Sequence, residues 1–337
     1  MKFTKILVAA ALLFAAPAAF AAGQSPVKLE VGYMPILPIA QLFVVLENGA
    51  IEKAGIEPHL IEFQQGPAMV QALLGGQLDV AYFGIGPAMV ARSKGAAIKV
   101  VASGVVNQIS FVAIGDLAKF TGGTIDATTF KRFREKTGRK AKITTFARGS
   151  VPATVFNYWL KNVLKANPDD IEIIHQGSAQ VQQSLLTGAV DGAATLEPIV
   201  SVTLARRPDA TVLASGSDMF PHQPGAILAV REKTIKEHPG TVRALVAAQI
   251  DATGKLAAGD EGAIKAVQKY VGGGRLPLKT VEAAVKRSSG IFVSDPHYII
   301  EGTRAMQAFQ LGEGTLKGKL DVDSLFDTSF YDSLEKK

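Results

Sequence analysis

The chain has no cysteine. That rules out a disulfide framework, and it removes the lipid-bearing cysteine by which a secreted bacterial lipoprotein is tethered at its cleavage site. Histidine is scarce: His59, His175, His222, His238 and His297 stand at no metal-ligand spacing, which argues against a zinc site. Charge imbalance is small, with 36 Lys and Arg against 30 Asp and Glu, so the net +6 is not the footprint of a nucleic-acid binder. Long apolar runs are also missing. The stretch from Ile6 to Phe14, followed by Pro17, is too short and too interrupted to span a membrane. Two partial motifs fail on one residue each. Gly84 and Gly86 are followed by Met89 where a dinucleotide fingerprint needs glycine or alanine, and Asp321 and Asp323 begin a calcium-like loop in which Phe326 occupies the turn glycine's place.

What is present begins with an export signal. Lys2 and Lys5 precede the apolar run, and Ala19-Phe20-Ala21 offers small residues at the cleavage positions, so residues 1–22 read as a secretory signal peptide. The mature chain, beginning at Ala22 or Gly23, is then a free periplasmic protein. Losing Lys2 and Lys5 leaves 34 basic against 30 acidic residues, a net charge of about +4. At about 315 residues and 47% hydrophobic composition, the mature chain can build two domain cores.

The chain repeats itself. LLGGQLDVA at residues 73–81 returns as LLTGAVDGA at residues 185–193, and each copy leads to a loop ending in proline, Gly86-Pro87 and Glu197-Pro198. Two lobes built from one supersecondary unit account for this. Alternating strand-like segments (VKLEVGY, EPHLIEF, LDVAYFG, IKVVASGV, then KITTF, DIEIIHQ, VDGAATL) and helical ones (IAQLFVVLENG, AMVQALLGG, AQVQQSLLTG) predict an α/β fold with mostly parallel sheets. After GAILAVREKTIKEHPG the chain becomes largely helical. These helices are assigned to the first lobe. Lobe 1 then comprises residues 23–115 and 225–337, and lobe 2 residues 116–224. In open α/β sheets, ligands bind beyond the carboxyl ends of the strands, so two such ends facing each other make a cleft.

The ordered set VGYMP, GAIEKAGIEPHLIEF, GPAMVQALLGGQLDVAYFGIGPAMVA, KVVA, ARGS, LLTGAVDGAATLEPIV and GAILAVRE, spanning residues 31 to about 231, resembles the periplasmic solute-binding proteins of ABC importers for nitrate, taurine, aliphatic sulfonates and thiamine-pyrimidine precursors. The resemblance implies a two-lobed type II periplasmic binding fold with a hinge and a ligand cleft. It also implies a monomeric receptor that closes on a small organic anion without a cofactor and delivers it to an inner-membrane permease, with neither enzymatic activity nor nucleic acid involved. Carried over by motif, the ligand-binding positions are Met34, Pro35 and Ile36; Gly66 and Pro67; Gly84, Ile85, Gly86 and Pro87; Arg148, Gly149, Ser150 and Val151; and Glu197. An apolar first loop at Met34 to Pro38 and a carboxylate at Glu197 depart from the sulfonate-type pattern. Two alternatives remain open: a pyrimidine-synthase-like enzyme, against which the missing cysteine and the export signal argue, and a sensor subunit using the same cleft.

Three helix starts, after Gly66-Pro67, after Gly86-Pro87 and at Ser150, can aim backbone N–H groups and about half a positive charge each at one oxyanion. Arg148 either adds a counter-charge or lies on the solvent side. Glu197 either reads a ligand amine, hydroxyl or amide, or pairs with a lysine at the rim. The basic run Lys131, Arg132, Arg134, Lys136, Arg139, Lys140 and Lys142 reads as a solvated helix face, with Phe130 and Phe133 as its buried stripe. Contact with the permease is the sharper reading of that run. Tyr82 and Phe83 leave opposite faces of one strand, so at most one faces the cleft.

Overall fold

The computed structural model describes residues 26–335, so the export signal expected at residues 1–22 lies outside the described residues. The first sheet contains β1 (Val27–Tyr33), β2 (Ile56–Glu62), β3 (Val80–Gly84), β4 (Ile98–Ser103) and β10 (Ala226–Arg231), in the order β2-β1-β3-β10-β4. The second contains β5 (Ser110–Ala113), β6 (Ala141–Phe146), β7 (Ile171–Gln176), β8 (Gly192–Thr195) and β9 (Thr211–Ala214), in the order β7-β6-β8-β5-β9. Three parallel strands in each sheet are followed by one antiparallel strand, β10 in the first and β5 in the second. The sheets therefore match strand for strand, with β3 and β8 in the same place.

The repeated aspartate explains the repeated sequence. Asp79 exchanges two hydrogen bonds with Glu30 on β1: its N–H donates to the Glu30 carbonyl at 2.9 Å, and its carboxylate accepts from the Glu30 N–H at 3.0 Å. Asp191 does the same to Lys142 on β6, with both distances 2.8 Å. The carbonyl of each aspartate accepts from the antiparallel neighbour, Arg231 N–H for Asp79 and Ile114 N–H for Asp191, both at 2.9 Å. One residue thus stitches three strands in each lobe. Arg139 adds a bidentate pair to Asp191 at 2.6 and 2.8 Å. Charge-assisted bonds of this kind are about twice as strong as neutral ones.

The chain crosses between lobes twice. The first crossing, expected after residue 115, falls instead between Ser103 and Ser110, because β5 already pairs with β8 and β9 in the second sheet. The return crossing includes Gln223 to Gly225. The two crossings hydrogen-bond each other, Gly104 N–H to Ala226 carbonyl at 2.8 Å and Asn107 N–H to Gln223 carbonyl at 3.0 Å. Buried glutamines satisfy four further backbone groups. Gln41 donates to the Gly104 carbonyl and Gln249 to the Ser103 carbonyl, while Gln223 and Gln108 accept from the N–H groups of Ile109 and Ala226. An amide side chain can match either polarity of an unpaired backbone group, which suits it to a buried linker that cannot use water.

The longer helices are α1 (Ala40–Glu47), α2 (Gly66–Leu74), α3 (Ile85–Ser93), α4 (Thr129–Thr137), α5 (Val151–Tyr158), α6 (Ser178–Thr187), α7 (Ile199–Arg206), α8 (Pro239–Ala258), α9 (Glu261–Gln268), α10 (Leu278–Ser288) and α11 (Ile300–Gly312), of which α2, α3 and α5 line the cleft. The carboxy-terminal helices do not all rest on the first lobe. α8 and α9 pack on α1, but α10 packs on α7 of the second lobe, and α11 touches both α3 and α5. Each apolar stripe takes the nearest complementary face, and those faces lie on both lobes. On α4, Phe130 and Phe133 are fully buried, and three of its four cations are paired: Lys131 with Glu135, Arg132 with Asp126 and Arg134 with Asp170.

Asp191→Ala removes a buried acceptor from the Lys142 N–H and from Arg139, and should cost about 2–3 kcal/mol in urea unfolding. Asp191→Asn retains one acceptor oxygen and should recover part of that loss. Equal losses for both variants would contradict the stitching role.

Candidate functional site

The carboxyl ends of β1, β3, β6 and β8 face one another across the interlobe gap. There they enclose a cleft of about 390 Å³, counting the solvent at its mouth. From the first lobe its wall takes Met34, Ile36, Ile39, Gly66, Phe83, Gly84, Pro87 and Ala226, and from the second Phe146, Ser150, Val151, Pro152 and Leu196, with Gln108 from the crossing. No charged side chain is among them.

Two glycines allow the walls to approach. A Cβ on Gly66 would stand 2.5 Å from the Pro87 ring, and one on Gly84 would stand 2.8 Å from Val151 Cγ2. The second contact joins the lobes directly. Such separations exclude any side chain without movement of the neighbouring wall.

Three helices begin around the gap, as expected: α2 at Gly66, α3 at Ile85 and α5 at Val151. Ser150 caps α5 by accepting from the Ala153 N–H at 3.3 Å. Each start also carries a proline, Pro67, Pro87 or Pro152, which has no N–H. The oxyanion cradle is therefore sparser than three bare helix ends would be. At the cleft wall the N–H groups of Gly66 and Val151 have no protein acceptor among the described residues. Gln108 accepts from the Ala226 N–H through Oε1 at 3.2 Å, which leaves its NH2 group as a further donor. The Ser150 hydroxyl completes the polar set.

Of the residues singled out by motif, Met34, Ile36, Gly66, Gly84, Pro87, Ser150 and Val151 meet at this wall; Pro35, Pro67, Ile85, Gly86, Arg148, Gly149 and Glu197 do not. Arg148 is exposed and lies beyond Gly149, away from the cleft. Glu197 is buried and its carboxylate is committed: it accepts from the Ser201 N–H at 3.0 Å and the Ser201 hydroxyl at 2.9 Å, and it pairs with Arg287, whose Nε lies 3.1 Å away. Both residues are carried over by motif as ligand contacts, and of the two readings open for each, Arg148 takes the solvent side and Glu197 the structural pair, with an arginine rather than a lysine. Tyr82 is wholly buried, and Phe83 is the member of that pair on the cleft. Phe146, Gln108 and Leu196 went unmarked in the sequence. A signal for this region was present in GPAMV at residues 66–70, which recurs letter for letter at residues 86–90 and in weaker form as VPATV at residues 151–155.

Among the described residues no cluster of three or more His, Cys, Asp or Glu is arranged to hold a metal, and no helix is long and apolar enough to cross a membrane.

Two matched α/β lobes joined by two crossings, with an apolar cleft between their carboxyl ends, form the architecture of the periplasmic binding proteins. The chain belongs to the NMT1-like family, whose model matches residues 22–272. A binding protein of Brucella abortus is 26% identical over 242 residues, covering 70% of this chain and 69% of that one. Two solved structures share the fold. The alkanesulfonate-binding protein SsuA from Xanthomonas axonopodis pv. citri, bound to MOPS, superposes with a TM-score of 0.72 at 19% identity, over 90% of this chain and 99% of that one. The periplasmic nitrate-binding protein NrtA from Synechocystis PCC 6803 gives 0.75 at 15% identity, over 92% and 89%.

Burial pushes the Glu197 carboxyl up to about 6 from an ordinary 4.5, against the partial pull of Ser201 and Arg287. A carboxyl with a raised folded-state pKa is neutral in both states at low pH, so it costs nothing there. As pH rises from 4.5 through 6 the unfolded chain ionises first, and the native state loses about 2 kcal/mol. The stability of Glu197→Gln relative to wild type should therefore rise by about that amount between pH 4.5 and pH 7, read by urea unfolding at each pH. A difference independent of pH would contradict this.

Proposed function

We propose that the chain is the periplasmic solute-binding receptor of an ABC importer, that its cleft closes on a small organic acid with an apolar body, and that it passes this ligand to an inner-membrane permease. The observation that carries the reading is the cleft wall. Apolar side chains from both lobes can bury a hydrocarbon body, and the Gly66 and Val151 N–H groups, the Gln108 amide and the Ser150 hydroxyl can satisfy one acidic head without a cation. A protein of the same fold that binds an alkanesulfonate supports the ligand class. Phe83 and Phe146, one from each lobe, favour a flat ring as a second reading, the class to which thiamine-pyrimidine precursors belong.

A thermal-shift screen of nitrate, alkanesulfonates, amino-sulfonates, carboxylates and thiamine precursors tests both readings. A ligand that binds only the native state adds about 2.7 kcal/mol at a hundredfold excess over Kd. An organic acid with an apolar body should give the largest shift, and preference for bare nitrate would contradict the reading. Ser150→Glu then places a carboxylate where the acid is expected. Its ligand affinity should fall at least about 100-fold, or about 2.7 kcal/mol, whereas Ser150→Ala, which removes the cap and one donor without adding charge, should cost about 1 kcal/mol of stability and lower affinity by far less. Unchanged binding by Ser150→Glu would move the acid's site elsewhere.

A further inference from the structure

The turn that supplies Ser150 and Val151 to the cleft has a second side. Gly149, at φ +81°, reverses the backbone, and Arg148 faces a separate cavity of about 760 Å³, counting the solvent at its mouth. This cavity lies between α5, β7 and α11, with Asn157, Lys161, His175 and Glu313 on its walls. Its charges do not cancel. Lys161 and Glu313 pair at 2.6 Å, while Arg148 has no carboxylate within ion-pairing distance among the described residues. His175 Nδ1 is 2.7 Å from the Phe146 carbonyl, an acceptor only, so that nitrogen carries a proton and Nε2 remains for the cavity. The Asn157 side chain makes no hydrogen bond to the described residues. The cavity thus offers one uncompensated guanidinium, an unengaged amide and an ammonium already oriented by its partner, in contrast to the uncharged cleft on the other side of the turn.

We propose that this cavity is a second binding site, for a small oxyanion. Arg148 supplies the charge and its planar fork, Asn157 a neutral donor, and Lys161 a second cation. A guanidinium fork matches two oxygens of a tetrahedral or carboxylate anion, which a point charge does not. The anion is either a free inorganic ion or the acid head of an organic molecule whose body stays in solvent. The proposal does not depend on which ligand the cleft takes.

The test is a ¹H–¹⁵N titration of the whole chain with sodium sulfate against sodium chloride at equal ionic strength, repeated with methanesulfonate. Sulfate should produce saturable shifts in Arg148 Nε–Hε and the Asn157 side-chain amide, and leave the Gln108 amide and the Val151 N–H unmoved. Arg148→Ala, at an exposed position, should keep its fold and weaken sulfate at least about tenfold. Lys161→Ala should weaken it as well, because Glu313 is then unpaired in the cavity. Equivalent shifts from methanesulfonate assign the site to acid heads in general, and their absence assigns it to the inorganic ion. Shifts confined to Gln108 and Val151, equal shifts from chloride, no saturable shift, or an unchanged Kd in Arg148→Ala would each overturn the proposal.

Discussion

Each lobe depends on one aspartate that completes the bonding of three strands. Asp79 and Asp191 stand just before the third parallel strand, lock it to the first strand through paired backbone and carboxylate bonds, and accept from the antiparallel strand on the other side. The constraint acts at the amino end of that strand. Its carboxyl end, with the loop and helix that follow, is then held in a fixed direction. Because both lobes use the same device, both loops point into the same gap, and the cleft follows from a bond made at the far side of each sheet.

The gap has its shape because the crossings are satisfied internally. Ser103 to Ile109 and Gln223 to Ala226 pair with each other and with the side chains of Gln41, Gln108, Gln223 and Gln249. Side-chain amides meet backbone groups there that water would otherwise have to meet, which suits the linker to the floor of an apolar cleft. Gln108 belongs to both tasks, since one end of its amide holds the Ala226 N–H and the other is free at the cleft wall. The carboxy-terminal helices add contacts at the rims, through Arg287 to Glu197 on one side and through α11 against α5 on the other.

Much of the fold was legible because it rests on local chemistry. The repeated aspartate, the glycine turns and the prolines at helix starts each act within a few residues of where they stand, and strand periodicity carried the α/β order. What escaped depends on partners remote in sequence. The role of Glu197 is set by Arg287, ninety positions later, so a lone carboxylate in a loop reads equally as ligand contact or structural pair. The direction of Arg148 is set by the positive φ of Gly149, which sequence shows only as a glycine. The first crossing lies ahead of residue 115 because β5 joins the second sheet, and nothing in that short apolar strand says which sheet it joins. Phe146 looks like any strand residue until β6 and β3 are seen to face each other.

The central claim is that one apolar cleft, formed by both lobes, receives the body of the ligand while neutral donors receive its acid. Diffraction from crystals grown with the organic acid that stabilises the protein most tests this directly. The account predicts ligand density between Phe83 and Phe146, with the acid oxygens within hydrogen-bond distance of the Val151 N–H, the Gln108 amide or the Ser150 hydroxyl. An empty cleft with the acid bound outside it, or an acid held by a charged side chain that has swung into the cleft, would contradict it.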